Sequence, residues 1–341
     1  MIVNLISDTV TTPSDGMLDA MFNATVGDDV FKEDPSVNIF ENQVASLFGK
    51  EAALFFPSGT MTNQTAIKLH TQPGDQLICD HYAHIFNYEG GGVSFNSGVS
   101  CKMIQGERGK ITSEQIKSCI NSPDFYHSPR TSLVCLENTT NKGGGHCWDV
   151  NQFVKIKKIC DENELGLHMD GARVWNSIVA KNNNPELYGN YFDTISVCLS
   201  KGLGCPVGSI LVGKKKFIDK ALRIRKILGG GMRQVGYLAA AGLYALENNL
   251  QRLSVDHQKA KEIASRFSSK DCINSVNEVE TNIIILELND SVEKQKIINH
   301  FSEKEIIFDW YSMGLKKIRI VTHLNYSDED HKRLLQVVDN L

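Results

Sequence analysis

Residues 196–213 read SVCLSKGLGCPVGSILVG. The apolar run 195–199 has the length and composition of a buried strand. It breaks at Ser200, Lys201 and a Gly-Leu-Gly turn, and a second apolar run follows at 209–212. A lysine at the end of a buried strand is costly unless it is paired or chemically used. In open α/β sheets, ligands bind beyond the carboxyl ends of the strands. Lys201 is therefore the first place to look for chemistry, although a lysine that merely reaches the surface would look the same in isolation.

The chain on either side supports a sheet of this kind. Asp34-Pro35 opens a helix, with Val37, Phe40, Val44 and Leu47 at helical spacing and Gly49 at its end. The short apolar run 52–56 is broken by Ser58-Gly59-Thr60, and a helix-like run, 61–70, follows at once. Strands are expected at 76–80, 132–137, 167–170, 194–200 and 209–212. Between two of them Asp149 can cap a helix whose apolar side carries Phe153, Ile156 and Cys160. Short apolar strands alternating with helices predict an α/β unit, a mostly parallel sheet covered on both faces. The last hundred residues differ. A long helical stretch at 234–267 leads into a strand at 282–288, a helix near 292–301, strands at 305–310 and 317–322, and a closing helix from Asp328. We expect a large unit with an N-terminal arm over 1–245 and a small α+β unit over 246–341. The polar loop 182–190 should be exposed.

Composition sets the class. The chain has 341 residues and a net charge of −4, so no pull toward nucleic acid or an acidic membrane is expected. A basic run at 214–226 reads as a mostly solvated helix face. Nine cysteines, an odd number without a C-x-x-C pair, fit free buried thiols in a reducing compartment. His81 and His84 are spaced as a metal pair, but no further ligand cluster follows and no metal is expected. Neither a leader peptide nor a membrane span is read, so the expected location is cytoplasmic.

Three strand ends carry candidate chemistry. Ser58-Gly59-Thr60, between a strand and a helix, can turn backbone N–H groups toward an anion, although a plain strand–helix connection reads the same. Asp170 closes the apolar strand of LHMDGAR, where a carboxylate can hold a protonated pyridine nitrogen or simply cap the next helix. Lys201 can form a Schiff base, which needs the neutral amine that desolvation favours. In this order, phosphate cup, pyridinium partner and Schiff-base lysine fall where pyridoxal 5′-phosphate (PLP) sites fall on this kind of sheet.

Motifs along nearly the whole chain then make the likeness specific. They are SDTVT (7–11), GDDVF (27–31), GKEAALFFPSGTMTNQ (49–64), AHIFNYE (83–89), PRTSLVCLENT (129–139), HMDGARVWN (168–176), CLSKGLGCPVGS (198–209), GGGMRQ (229–234) and IRIVTH (318–323). The sequence resembles the low-specificity L-threonine aldolases, fold-type-I PLP enzymes with the aspartate-aminotransferase-like fold. The resemblance implies that Ser58, Gly59, Thr60 and Ser200 hold the cofactor phosphate. Lys226 and Arg233 would reach the phosphate of a neighbouring subunit in a homo-oligomer, a dimer or tetramer. Asp170 would bind the ring nitrogen, Lys201 would anchor the cofactor, and Arg173 would lie beside it. Ser7, Arg173 and Arg319 would take the substrate carboxylate. His84 would stack on the ring with Tyr88 on the same loop, and His127 would approach the substrate hydroxyl. Four positions depart from the family pattern: Ile6, Phe31, Asn87 and Thr140 stand where arginine, tyrosine, an aromatic and histidine are usual.

The implied reaction is retro-aldol cleavage of a β-hydroxy-α-amino acid, L-threonine or L-allo-threonine, to glycine and an aldehyde. A PLP-dependent β-eliminating lyase on the same scaffold is the alternative.

Overall fold

In the computed structural model, which describes residues 2–341, the strands are β1 (Val3–Leu5), β2 (Ala52–Phe56), β3 (Gln76–Asp80), β4 (Ser100–Ile104), β5 (Thr131–Glu137), β6 (Gly166–Gly171), β7 (Thr194–Cys198), β8 (Ser209–Gly213), β9 (Ile273–Val276), β10 (Ile283–Leu288), β11 (Ile306–Phe308) and β12 (Lys317–Val321). Seven of them form one sheet in the order β2-β8-β7-β6-β5-β3-β4. The ladder from β7 to β4 is parallel, and β8 runs antiparallel to both β7 and β2. The tight Gly202–Gly208 connection after Lys201 makes β8 the antiparallel member, because a parallel return would need a long crossover.

Apolar residues of the sheet alternate between two cores. Phe55, Ile210 and Val212 face the main core with Phe40 and Trp175, while Leu54, Phe56 and Leu211 face Ala66, Ile218 and Ala221. Period-two burial on both faces is what continuous apolar strands achieve when helices cover each side. The helix Gly59–His70 lies on one face, and the helices Pro35–Leu47 and Gly236–Asn248 pack together on the other.

A separate core joins Val3, Leu5, Ile263, Phe267, Phe301, Phe308, Ile320 and Leu334. Its sheet is antiparallel, in the order β12-β10-β9, and β1 pairs in parallel with β11. The N-terminal arm thus begins on the C-terminal unit and runs from there toward the large sheet.

Two expectations are corrected. The helical stretch 234–267 is two helices, Gly236–Asn248 and Leu253–Ser268. At the break, Asn249 turns its amide inward to the Leu203 carbonyl, 2.8 Å away, and so ties the chain to the turn after Lys201. Region 182–190 contains most of a short helix, Glu186–Tyr191, because Tyr188 buries its ring and hydrogen-bonds Ser177 at 3.0 Å. The basic run forms the helix Lys215–Ile227, and its Arg225 is buried against Asp29 and the Phe55 carbonyl. Among the described residues no helix is long and apolar enough to cross a membrane.

Candidate active site

The carboxyl ends of β5, β6 and β7 converge with the start of the helix Gly59–His70. Ser58 caps that helix, its Oγ accepting the Met61 N–H at 3.2 Å. A Cβ built on Gly59 would meet nothing within 4 Å. Open space thus lies beside Gly59 in the first turn, where N–H groups and the helix dipole favour an anion. Thr60 is the next residue of the turn. Ser200 lies across the site, its Oγ 3.6 Å from the Cys198 sulfur.

Asp170 closes β6. Its Oδ1 accepts the Ala172 N–H at 3.1 Å, while Oδ2 is buried with no partner among the described residues. A buried, unpaired carboxylate oxygen carries a desolvation cost of about 1–3 kcal/mol or more, so its environment calls for a donor. A protonated ring nitrogen would be one. On this observation the residues fit the cofactor that the sequence called for.

Lys201 follows β7, and its amine donates to the Cys198 sulfur at 3.1 Å. Burial pulls the lysine down, but the Cys198 sulfur and the Asp8 charge together raise it and the net shift is upward. The same contact lowers Cys198 against its own burial. Desolvation alone, the basis of the sequence expectation of a neutral amine, is therefore not what governs Lys201. Cys198, three residues back in the chain, is the foremost group that raises it.

His84 begins a single helical turn, His84–Asn87, beyond β3. Its Nδ1 lies 3.0 Å from Glu89 Oε1, and its backbone N–H donates to Glu137 Oε2 at 2.8 Å. Burial would lower the imidazole, but the Glu89 bond and the charges of Asp170 and Glu137 raise it overall. Glu137 itself is pushed up to about 7, by burial first and then by Asp170 beside it. Single ligand-type atoms of His84, Glu89 and Asp170 all lie within 4.8 Å of one another. Tyr88 is half-exposed, its ring 5.6 Å from His84, with the Lys142 ammonium 5.4 Å above it.

The expected carboxylate clamp comes from three elements. Arg319 on β12 donates to the Ile6 carbonyl at 3.0 Å and to Asn141 Oδ1 at 2.7 Å, and its Nε is buried without a partner among the described residues. Burial, then Arg173, lowers Arg319 to about 10. Ser7 caps a short turn, its Oγ accepting the Thr9 N–H at 3.2 Å. Arg173 is already engaged. Its guanidinium holds the buried Asp8 through two bonds of 2.8 and 2.6 Å. Arg173 holds Asp8 well below the usual carboxylate range despite burial.

The remaining candidates stand apart. His127 is exposed on the loop before β5, with its ring 4.1 Å from Tyr126. Glu137 ends the same strand, seven residues long and so roughly 20 Å away along it. Within one subunit the loop and the site lie at opposite ends of β5, so the fold does not bring His127, expected at the substrate hydroxyl, to the cluster around His84. Lys226 is exposed near the end of its helix, and Arg233 is exposed and paired with Asp28 at 2.7 Å. In GDDVF, Asp28 and Asp29 therefore serve Arg233 and Arg225. Phe31 places its ring 5.8 Å from Arg233, which needs no phenol. Ile6 contributes a carbonyl rather than a side chain. The amide of Asn87 closes its own turn on the Ala83 and His81 carbonyls. Thr140 is buried and bridges to His146.

Asp8, Glu89, Glu137 and Cys198 were not singled out beforehand. Glu137 ends an apolar strand just as Asp170 does, so the same strand-end rule reaches it. Asp8 and Glu89 lie in quoted motifs, but their partners, Arg173 and Asn63, are 165 and 26 residues away.

A lysine, an aspartate and a helix start meet at the carboxyl ends of one sheet on a type I fold. The family model for beta-eliminating lyases matches residues 4–291. A low-specificity L-threonine aldolase of Arabidopsis thaliana is 41% identical over 96% of this chain and 93% of its own length. The low specificity L-threonine aldolase of Escherichia coli K12 is 38% identical over 96% and 95%. A solved threonine aldolase from Leishmania major superposes with a TM-score of 0.85 at 18% identity, covering 99% of each chain. The chain belongs to the beta-eliminating lyase family and, within it, to the low-specificity L-threonine aldolases.

Proposed function

We infer that the protein cleaves L-threonine and L-allo-threonine to glycine and acetaldehyde, with pyridoxal 5′-phosphate as cofactor. The observation that carries this reading is the buried, unpartnered Oδ2 of Asp170 in one cluster with His84, beside the strand-end Lys201. Lys201 would carry the cofactor covalently, Asp170 would accept its ring N–H, and Ser58, Gly59, Thr60 and Ser200 would hold its phosphate. When bound, the cofactor supplies the electron sink for the bonding pair of the broken Cα–Cβ bond.

The chain's own residues do the rest. Arg319, with Ser7 and Arg173, holds the substrate carboxylate and so fixes which bond at Cα stands ready to break. His84 accepts the β-hydroxyl proton as the aldehyde departs. Lys201 would return a proton to Cα. One proton leaves oxygen and one reaches carbon, so the reaction is balanced without an oxidant.

We further propose that the enzyme is a homo-oligomer in which Lys226 and Arg233 serve a neighbouring phosphate. Both are exposed cations flanking a triple-glycine loop. A role for His127 at the hydroxyl then requires the loop of a second subunit. The break after helix Gly236–Asn248, a few residues beyond the expected division at 245/246, would let the small unit, which carries Arg319, adjust against the large one.

Product analysis tests the reaction. Glycine and acetaldehyde in equal amounts are expected from L-threonine. Ammonia and a keto acid instead would mark the enzyme as a β-eliminating lyase.

A further inference from the structure

Behind His84 runs an unbroken line of polar contacts through the middle of the protein. Glu89 is buried; it accepts from Asn63 Nδ2 at 2.8 Å and Gln64 Nε2 at 2.6 Å, and its Oε1 lies 3.0 Å from His84 Nδ1. Asn63 Oδ1 in turn meets Ser196 Oγ at 2.7 Å and His168 Nε2 at 3.2 Å. His168 Nδ1 meets Thr194 Oγ1 at 3.0 Å, and that hydroxyl meets His70 Nε2 at 3.0 Å. Asn63, His168, Thr194 and Ser196 are all buried.

We propose that Glu89 is a positioning residue that holds His84 with its proton on Nδ1 and its Nε2 free to accept, and that the line from Asn63 to His70 fixes Glu89 from behind. The proposal rests on the reading that His84 takes the hydroxyl proton.

The direction of each bond follows from what each group can do. A carboxylate only accepts, so Asn63 turns its NH₂ to Glu89 and its carbonyl oxygen to the other side. That oxygen accepts the Ser196 hydroxyl and lies 3.2 Å from His168 Nε2. Burial pulls His168 down to about 3 and His70 to about 4, so both rings are neutral near pH 7 and carry one proton each. His168 Nδ1 lies 3.1 Å from the Thr194 carbonyl and 3.0 Å from the Thr194 hydroxyl, and that hydroxyl meets His70 Nε2. Flipping the Asn63 amide would set its oxygen against the Glu89 carboxylate and leave Glu89 with one partner fewer. At the other end Glu89 has room for one further donor, His84 Nδ1–H. A neutral imidazole with that proton presents Nε2 as its acceptor. Asp170 on β6 and Glu137 on β5 also face His84, and both carboxyl groups raise its affinity for a proton as Glu89 does.

Histidine-selective ¹⁵N NMR of the holoenzyme tests the tautomer directly. Above the His84 pKa, a protonated Nδ1 and an unprotonated Nε2 are expected. A protonated Nε2 in the wild-type enzyme would overturn the proposal whatever any variant does. In Glu89→Gln, the tautomer should become mixed or reversed. Its kcat should fall about tenfold or more with KM within about twofold, and the acid limb of kcat/KM should move about one unit lower, since an anion that raised His84 is gone. Glu89→Asp should restore the limb and the tautomer. A Glu89→Gln enzyme that loses stability but keeps the wild-type tautomer and acid limb would show that Glu89 is only structural. If the wild type releases no aldehyde from threonine, the assigned reaction fails, and the tautomer result is read on its own.

Discussion

The carboxyl-end pole of the large sheet and its outer rim are built on different terms. At the pole, Asp170, Glu137, His84 and Lys201 belong to one chain and are largely shielded; burial and close neighbours shift His84, Glu137 and Lys201, the lysine through Cys198. At the rim, Lys226, Arg233 and His127 are exposed, and the only ion pair formed among the three is Arg233 with Asp28, as far as the described residues show. Shielded groups have their chemistry determined within the subunit. Exposed cations in water are screened and contribute little until another surface covers them. On the proposed reading the rim would acquire a function once a second copy supplies that surface, whereas the pole keeps its internal order without one.

The sharpest way to break this contrast is at Lys201. Lys201→Ala should lower threonine cleavage by about a thousandfold or more and lose the absorbance of the covalently held cofactor. An absorbance that persists through dialysis would move the anchor to another lysine. Next comes the pole's buried ion pair. Asp8→Asn leaves Arg173 buried without its counter-charge, and stability should drop by about 3–5 kcal/mol, read from urea unfolding at pH 7. Asp8 is depressed in the folded state. Its contribution is therefore complete above the unfolded value near 3.8 and is lost as pH falls toward the folded one, so the difference between wild type and variant should shrink on acidification. A gap that stays constant down to pH 3 would contradict the pairing.

Rim and pole separate in two further measurements. His84→Asn should lower kcat/KM by about a hundredfold, whereas His127→Asn should cost less, about tenfold, and only where subunits associate. Equal losses in a monomeric preparation would refute the placement of His127. Mixing inactive Lys201→Ala with inactive Arg233→Ala subunits should recover partial activity, since some sites then combine an intact lysine with an intact arginine. No recovery after proven subunit exchange would return Arg233 to its own subunit. The smallest effect concerns Glu137. Its folded pKa of about 7 lies above the ordinary 4.5, so the folded state binds more protons and stability declines as pH rises through that interval. Glu137→Gln should reduce the change in Tm between pH 5 and pH 8 by a few degrees. An unchanged slope would place the raised pKa elsewhere.

Much of the pole was legible because strand ends are legible. Apolar runs of five or so residues announce buried strands, and a charged residue just after one has few structural uses. Lys201 and Asp170 were reachable in this way, and Glu137 would have been. The break at Asn249 was hidden, because an asparagine within a helical pattern becomes a stop only when Leu203 offers its carbonyl. Tyr188 was hidden for a similar reason, since a polar stretch concealed one buried ring.

What the sequence determined by itself was the identity and order of the chemical groups: a helix start at Ser58, a carboxylate at the end of β6, an amine after β7 and a conserved run of motifs shared with an aldolase family. These are properties of short stretches, set by local periodicity and side-chain chemistry. The tertiary structure alone decided how those groups are charged and which nitrogen faces which oxygen. Arg173 is engaged by Asp8, 165 residues away, and His84 meets a glutamate held by Asn63 and Gln64 of the helix Gly59–His70. Proton affinity and hydrogen-bond direction depend on burial and on neighbours a few ångströms off, and only the folded chain brings those neighbours together.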